Sequence, residues 1–170
     1  EVEDKISLLK KLKNDLQNIK NCELKGSAKK LVFSDGNSNS KIMIVGEGPG
    51  QKEDEVGKPF VGDAGLLLNK MLKAININRQ DIYITNVVNY RPPNNRKPEP
   101  AEITRYSEYL RKHISIITPK ILILMGSTAM ESLFGSKIKI SKERGNWKDV
   151  IINNKSLSLI HISEPTRLSA

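Results

Sequence analysis

Lys41-Ile42-Met43-Ile44-Val45-Gly46, running straight into Glu47-Gly48-Pro49-Gly50, is a continuous apolar stretch that stops in a glycine-rich loop. A strand with one wet face alternates apolar and polar residues. An unbroken apolar run is the pattern of a strand covered on both faces in a parallel sheet. The pattern recurs at Ile82-Tyr83-Ile84-Thr85-Asn86-Val87-Val88 and at Ile121-Leu122-Ile123-Leu124-Met125-Gly126. Between the first two runs, Asp63 is expected to cap a helix whose apolar face is Leu67, Leu68, Met71, Leu72 and Ile75. Between the second and third, Ile103, Tyr106, Leu110, Ile114 and Ile117 form a helical stripe that Pro119 ends. Strands thus alternate with helices, and the connections are long enough for crossovers. The expected fold class is α/β, a three-layer α/β/α sandwich with a central parallel sheet of about four strands.

Outward from these elements the signals are shorter. Leu9, Leu12, Leu16 and Ile19 predict an amphipathic helix over 4–20. Asp35-Gly36-Asn37 reads as a turn, and residues 46–62 read as a loop rich in glycine and charge. Arg91 to Pro100 holds four prolines and three basic residues, which predicts an exposed loop. Residues 127–134 read as a short helix. Leu157-Ser158-Leu159-Ile160 is the candidate fourth strand, after a hairpin around Trp147. No internal repeat or low-complexity tract is visible.

Composition bounds the function. At 170 residues, with 38% hydrophobic and 28% charged, the chain has the size and balance of one globular domain. No apolar run approaches the roughly 20 residues of a membrane span, and the acidic start Glu1-Val2-Glu3-Asp4 lacks the plan of a signal peptide. The expected location is cytoplasmic. One cysteine, Cys22, excludes an internal disulfide and any multi-cysteine metal site. The net charge of +9 favours a polyanionic partner, since each phosphate contact releases a counterion. The abundance of Lys, Asn and Ile is equally what an AT-rich genome produces.

In folds of this class the chemistry sits at the carboxyl ends of the strands, which puts Gly46-Glu47, Asn86 and Gly126 on one rim. Glycines at 46, 48 and 50 let backbone amides come close to a ligand, and Glu47 stands where a catalytic acid is useful. The spacing is Gly-x-Gly-x-Gly, and Pro49 removes an amide, so a dinucleotide fingerprint is disfavoured. Phe60, within Gly57-Lys58-Pro59-Phe60-Val61-Gly62, suits either stacking on a planar base or plugging the core. Taken singly, Asn86 is equally a strand-end cap and Glu47 a surface ion-pair partner.

Taken together, several stretches resemble the signature of family 4 (bacterial and archaeal) uracil-DNA glycosylases. They are Gly46 to Gly50 with Glu53-Asp54, Gly57 to Asp63-Ala64-Gly65, Ile82 to Val88, Arg91-Pro92-Pro93-Asn94-Asn95-Arg96, and Arg144-Gly145-Asn146-Trp147. The similarity runs from about Cys22 to Trp147. The resemblance implies a base-excision-repair enzyme that flips uracil out of single- or double-stranded DNA and hydrolyses its N-glycosidic bond, leaving an abasic site. By the same resemblance, Glu47 handles the attacking water and stabilises the sugar cation, and Phe60 stacks on the flipped base. Asn86 would read the uracil edge, Gly48 would approach it with its backbone, and Glu53 would crowd the place of a thymine methyl. Arg91, Arg96, Lys97 and Arg144 are the candidate phosphate contacts. The implied protein works as a monomer near the bacterial nucleoid, with no membrane partner and no catalytic metal. Two other classes remain beside it: a damaged-DNA binding protein that turns over poorly, and an unrelated nucleotide-binding α/β protein.

The sequence departs from that family twice. Most family 4 enzymes hold an iron–sulfur cluster with four cysteines; the matching positions here are Ile19, Cys22, Tyr90 and Tyr106. One thiolate cannot hold such a cluster, so a branch without a cofactor is expected, with Tyr90 and Tyr106 filling the space and Cys22 buried. The family also closes on a His-Pro-Ser/Ala-Tyr-Leu-Leu-Arg motif whose histidine donates to uracil O2. Here His161-Ile162-Ser163-Glu164-Pro165-Thr166-Arg167 keeps the histidine and, at the matching offset, Arg167, but not the residues between. Leu157 to Arg167 resembles translated sequencing-adapter DNA. The expected division is therefore a glycosylase domain over 1–155 and a non-native tail over 156–170. His113, inside a helix, is expected at the surface.

Overall fold

The computed structural model describes residues 4–135 and 144–163. Helix α1 (Lys5–Gln17) starts at Asp4, whose carboxylate accepts the Ser7 amide at 2.7 Å, and it buries Leu12 and Leu16. A short helix α2 (Glu23–Ser27) and a two-residue strand β1 (Asp35–Gly36) lead into β2 (Ile42–Gly46). Then follow α3 (Gln51–Val56), α4 (Asp63–Ala74), β3 (Tyr83–Asn86) and α5 (Pro100–Ile117). The described chain closes with β4 (Ile121–Met125), α6 (Ser127–Phe134), β5 (Trp147–Ile152) and β6 (Lys155–Ile162).

The sheet order is β1-β3-β2-β4-β6-β5. The inner four strands run parallel and the two edges pair antiparallel, giving a six-stranded, mostly parallel sheet between helical layers. Alternate residues of each strand feed different faces. Met43 and Val45 of β2, with Leu122 and Leu124 of β4, join α1, α5 and α6 in the larger core. Ile44, Ile84 and Met125 face the other way, onto Leu68 and Leu72 of α4 and onto Phe60.

Several expectations need correction. The loop over 46–62 contains α3, nucleated where Glu53 accepts the Gly50 amide at 2.9 Å. The hairpin turns at Asn153-Asn154, both with positive φ, as a tight two-residue connection requires; Trp147 instead opens β5. On α4 the buried seam is Gly65, Leu68 and Leu72, while Leu67, Met71 and Ile75 are exposed, because only one narrow stripe of this helix reaches the sheet. His113 is not at the surface. It lies buried on the inner face of α5, stacked on Phe33 at 4.7 Å between ring centres, with Nε2 2.7 Å from the Tyr83 hydroxyl. Burial pushes its pKa down to about 3. Among the described residues no helix is long and apolar enough to cross a membrane.

Candidate active site

β2 lies between β3 and β4, so the chain leaves it toward one side and later returns on the other. A crevice opens outside the carboxyl ends of the strands at such a reversal. The register is what fills it. Gly46 pairs with Asn86, Val45 with Leu124, and Leu124 with His161. Beyond the last ladder pair the Val88 amide still donates to the Glu47 carbonyl at 3.1 Å, so the two exit loops leave the sheet together.

Glu47 sits at the mouth of β2. Its Oε2 accepts the Thr128 hydroxyl at 2.7 Å, and Thr128 is fully buried in the first turn of α6. Sequence reasoning missed Thr128; the signal was Gly126-Ser127-Thr128 directly after a strand, where hydroxyls meet the exposed start of a helix. Gly48 and Glu47 line a cleft of about 120 Å³ with Pro49, Gly50, Pro92, Asn95 and Arg96.

Next to it, Gly46, Phe60 and Asn86 converge. A Cβ at Gly46 would lie 2.4 Å from Phe60 Cζ and 2.5 Å from Asn86 Oδ1, so only glycine lets ring and amide meet there. Phe60 itself has φ +52° and is 8% exposed, packed against Ile44, Leu68, Leu72, Ile84 and Met125. The Phe60 carbonyl leaves no room for a side chain at Gly65, where a Cβ would lie 1.9 Å away.

The acidic pair after the glycine loop is spent on backbone. Glu53 accepts the amides of Gly50, Val61 and Gly62 at 2.9, 3.0 and 2.6 Å, tying the loop after β2 to the segment that carries Phe60. Buried Asp54 accepts the amides of Lys29 and Lys30 at 2.8 and 3.1 Å.

Of the four basic candidates, three share one loop. Arg96 lies at the cleft and is held in a two-pronged pair with Glu102, at 2.7 and 3.1 Å; the hydrogen bonds from Arg96 keep the Glu102 carboxyl below its ordinary range. Arg91 donates to Asn95 at 2.7 Å, and Lys97 to Ser127 at 3.0 Å. Arg144 is apart from them, exposed and bridged to β6 at His161. His161 is buried. Its Nε2 lies 2.9 Å from the Gly126 carbonyl, to which it can only donate, and its Nδ1 has no partner among the described residues. Residues Glu164 to Ala170, including Arg167, lie outside the described residues.

At the positions matched to cluster cysteines, Tyr106 and Cys22 are in contact, Oη to Sγ at 3.4 Å, and the Tyr90 hydroxyl donates to the Leu16 carbonyl at 3.0 Å. Ile19, Tyr90 and Tyr106 are buried, and Cys22 is half-buried.

The class of protein follows from comparison. Residues 33–170 match the family model of the Uracil DNA glycosylase superfamily. The type-4 uracil-DNA glycosylase of Thermotoga maritima is 42% identical over 143 residues, covering 84% of this chain and 74% of the relative. That of Sulfurisphaera tokodaii is 44% identical over 149 residues, covering 82% and 67%. That of Archaeoglobus fulgidus is 36% identical over 155 residues, covering 89% and 78%. The chain belongs to the uracil-DNA glycosylase superfamily, an enzyme family, and within it to the type-4 group.

That membership corrects the expectation of a chain without a cofactor. Type-4 enzymes are the iron–sulfur cluster family, so the cysteine count alone does not license that conclusion. The residues at the matched positions do not themselves fit a four-thiolate cluster. They offer one thiol, already against Tyr106, and among the described residues no group of three His, Cys, Asp or Glu side chains could hold a metal ion.

Proposed function

We propose that the chain flips uracil out of DNA and hydrolyses the bond between the base N1 and the sugar C1′, as a monomer acting on single- or double-stranded DNA in the cytoplasm. The observation that carries this reading is the meeting of Gly46, Phe60 and Asn86 beside Glu47 at the reversal point of the sheet. Breaking the bond builds positive charge on the sugar and negative charge on the departing base. Glu47 orients the attacking water, takes its proton and faces the sugar cation, while the Thr128 hydroxyl fixes how the carboxylate is turned. Asn86 accepts from uracil N3–H with its carbonyl and donates to O4 with its amide, a pattern cytosine frustrates. Phe60 provides the stacking surface, and Gly48 lets the base edge approach backbone. Glu53 acts by setting the distance between the two loops, and so the room left for a thymine methyl. Arg91, Arg96, Lys97 and Arg144 hold phosphates.

Changing Glu47→Gln should slow uracil release from single-stranded DNA by roughly 100-fold or more, with the circular dichroism spectrum unchanged. Rates like those of the unaltered protein would remove Glu47 from the chemistry.

One observation favours the second reading, a weakly catalytic damaged-DNA binder. With Nε2 on the Gly126 carbonyl, a neutral His161 presents only a lone pair at Nδ1, and it can donate to uracil O2 only by turning away or by carrying a second proton. Tight binding of uracil-containing DNA without turnover, unchanged by His161→Ala, would favour the binder. Under either reading we propose 1–155 as the domain proper and 156–170 as a non-native tail. Residues Lys155–Ile162 nonetheless form the inner strand β6, with Leu157, Leu159 and His161 turned inward, and the family match runs through them. Sequencing the gene from independent genomic DNA past codon 156 tests it.

A further inference from the structure

Phe60 holds a backbone conformation that side chains with a Cβ disfavour, on a loop with no regular structure of its own. Something must hold it there. The Glu53 carboxylate grips the loop just beyond, at the Val61 and Gly62 amides. The carbonyls of Pro59 and Phe60 are gripped by another residue, one that neither the sequence motifs nor the mechanism uses.

That residue is Arg79, in the short 3-10 turn Arg79–Asp81 before β3. Its Nη1 donates to the Phe60 carbonyl at 2.6 Å and to Asn69 Oδ1 of α4 at 3.2 Å. Its Nη2 donates to the Pro59 carbonyl at 2.5 Å and to Asp35 Oδ2 at 3.1 Å, and Nε reaches the same carboxylate oxygen at 3.3 Å. One planar guanidinium thus joins β1, the Phe60 loop and α4. Asp35, on the edge strand, fixes the plane of the fork, and the fork fixes two successive carbonyls. Those carbonyls bracket the Cα of Phe60, so their direction sets where the ring lies over Gly46 and beside Asn86.

We infer that Arg79, oriented by Asp35, is a positioning residue for the base-stacking ring: it acts on the flipped base through Phe60 and does not touch it. The inference rests on the proposed stacking role of Phe60. A merely structural arginine would change stability and leave the base-binding step alone. A positioning arginine changes that step by an amount that vanishes when the ring is absent.

The experiment is a double-substitution cycle on the full chain with Arg79→Lys and Phe60→Ala. Lysine keeps the charge and can reach one carbonyl, but cannot span both carbonyls and Asp35. The readouts are kcat/KM for uracil release from single-stranded DNA and the inhibition constant of free uracil, taken well below the unfolding midpoint of every variant. Stacking one base on one aromatic ring corresponds to roughly 5- to 150-fold, so Phe60→Ala should fall in that range. Arg79→Lys should lose roughly 5- to 20-fold of the same quantity, weaken free-uracil inhibition by a like factor, and cost less than about 2-fold once Phe60 is alanine. Asp35→Asn should show a smaller loss of the same kind. If Phe60→Ala is impaired but the Arg79→Lys loss is absent, or is the same with and without the ring, the positioning role is overturned and the stacking reading stands. If Phe60→Ala releases uracil at the unaltered rate, the stacking reading falls, and the inference with it.

Discussion

His113 gives the chain a calculable weakness to acid. Its ring lies 2% exposed between Phe33 and Tyr83, and burial holds its pKa at about 3 in the folded protein. In the unfolded chain the same group takes up its proton near pH 6.5, so between about pH 6.5 and 3 the unfolded state binds more protons. Stability is therefore complete above about pH 6.5 and declines as the pH falls through that window. Each unit is worth about 1.4 kcal/mol, so roughly 2 kcal/mol should be gone at about pH 5, and on the order of 4 kcal/mol across the window. Carboxylates add losses chiefly below about pH 5, so the comparison is clean above it. The assay is urea unfolding followed by circular dichroism at about pH 7.5, 6.5, 5.5 and 5, with His113→Gln beside the unaltered chain. The variant should be less stable at neutral pH, because the Tyr83 hydroxyl loses its partner in place, but its stability should fall by about 2 kcal/mol less between about pH 7.5 and 5. Equal slopes for the two proteins, or no loss in the unaltered chain, would refute the reasoning.

Three further outcomes follow from the site. Gly46→Ala drives a methyl group into Phe60 Cζ and Asn86 Oδ1, so uracil release should fall at least about 100-fold while stability drops by only about 1–3 kcal/mol, as overpacking does; full activity would show that the three groups do not form one pocket. Thr128→Val keeps the shape but removes the hydroxyl on Glu47, and should lower kcat roughly 10-fold with little change in KM, measured by single-turnover release. Charge reversal at Arg91 or Lys97 should weaken binding to uracil-containing and normal duplexes by like factors and flatten the salt dependence, read by fluorescence anisotropy; an effect confined to uracil-containing DNA would assign these residues to the pocket.

How much of the fold was legible depended on length. β2, β3 and β4 are buried on both faces, and a strand in any other setting seldom carries so unbroken an apolar run, so the parallel centre of the sheet could be read directly. The edges could not. β1 is two residues long, and β5 alternates in burial while its sequence does not, with apolar Trp147 and Ile151 on the exposed side and Ile151 74% exposed. α4 misled because its sequence has more apolar residues than the sheet can cover. The face read from periodicity included Leu67, Met71 and Ile75, which are exposed, and missed Gly65, whose bare backbone lies against the Phe60 carbonyl in the buried seam.

The site divides the same way. Gly46, Glu47 and Asn86 stand at strand ends, so their nearness follows from register once the parallel sheet is granted. Phe60, Glu53 and Arg79 are held by side chains reaching backbone carbonyls and amides up to 20 residues away, and a backbone group has no letter in the sequence. That is why the motif read Glu53 as a group facing the base, while its carboxylate is occupied by three amides. It is also why Arg79 passed unnoticed although it touches two residues of the most specific stretch. A charged residue at a glycine-rich rim therefore has two competing claims on it, ligand and loop, and the loop wins wherever several amides or carbonyls lie within its reach. At this rim the Glu53 carboxylate takes three amides of the loop, while Glu47 takes the Thr128 hydroxyl and borders the cleft.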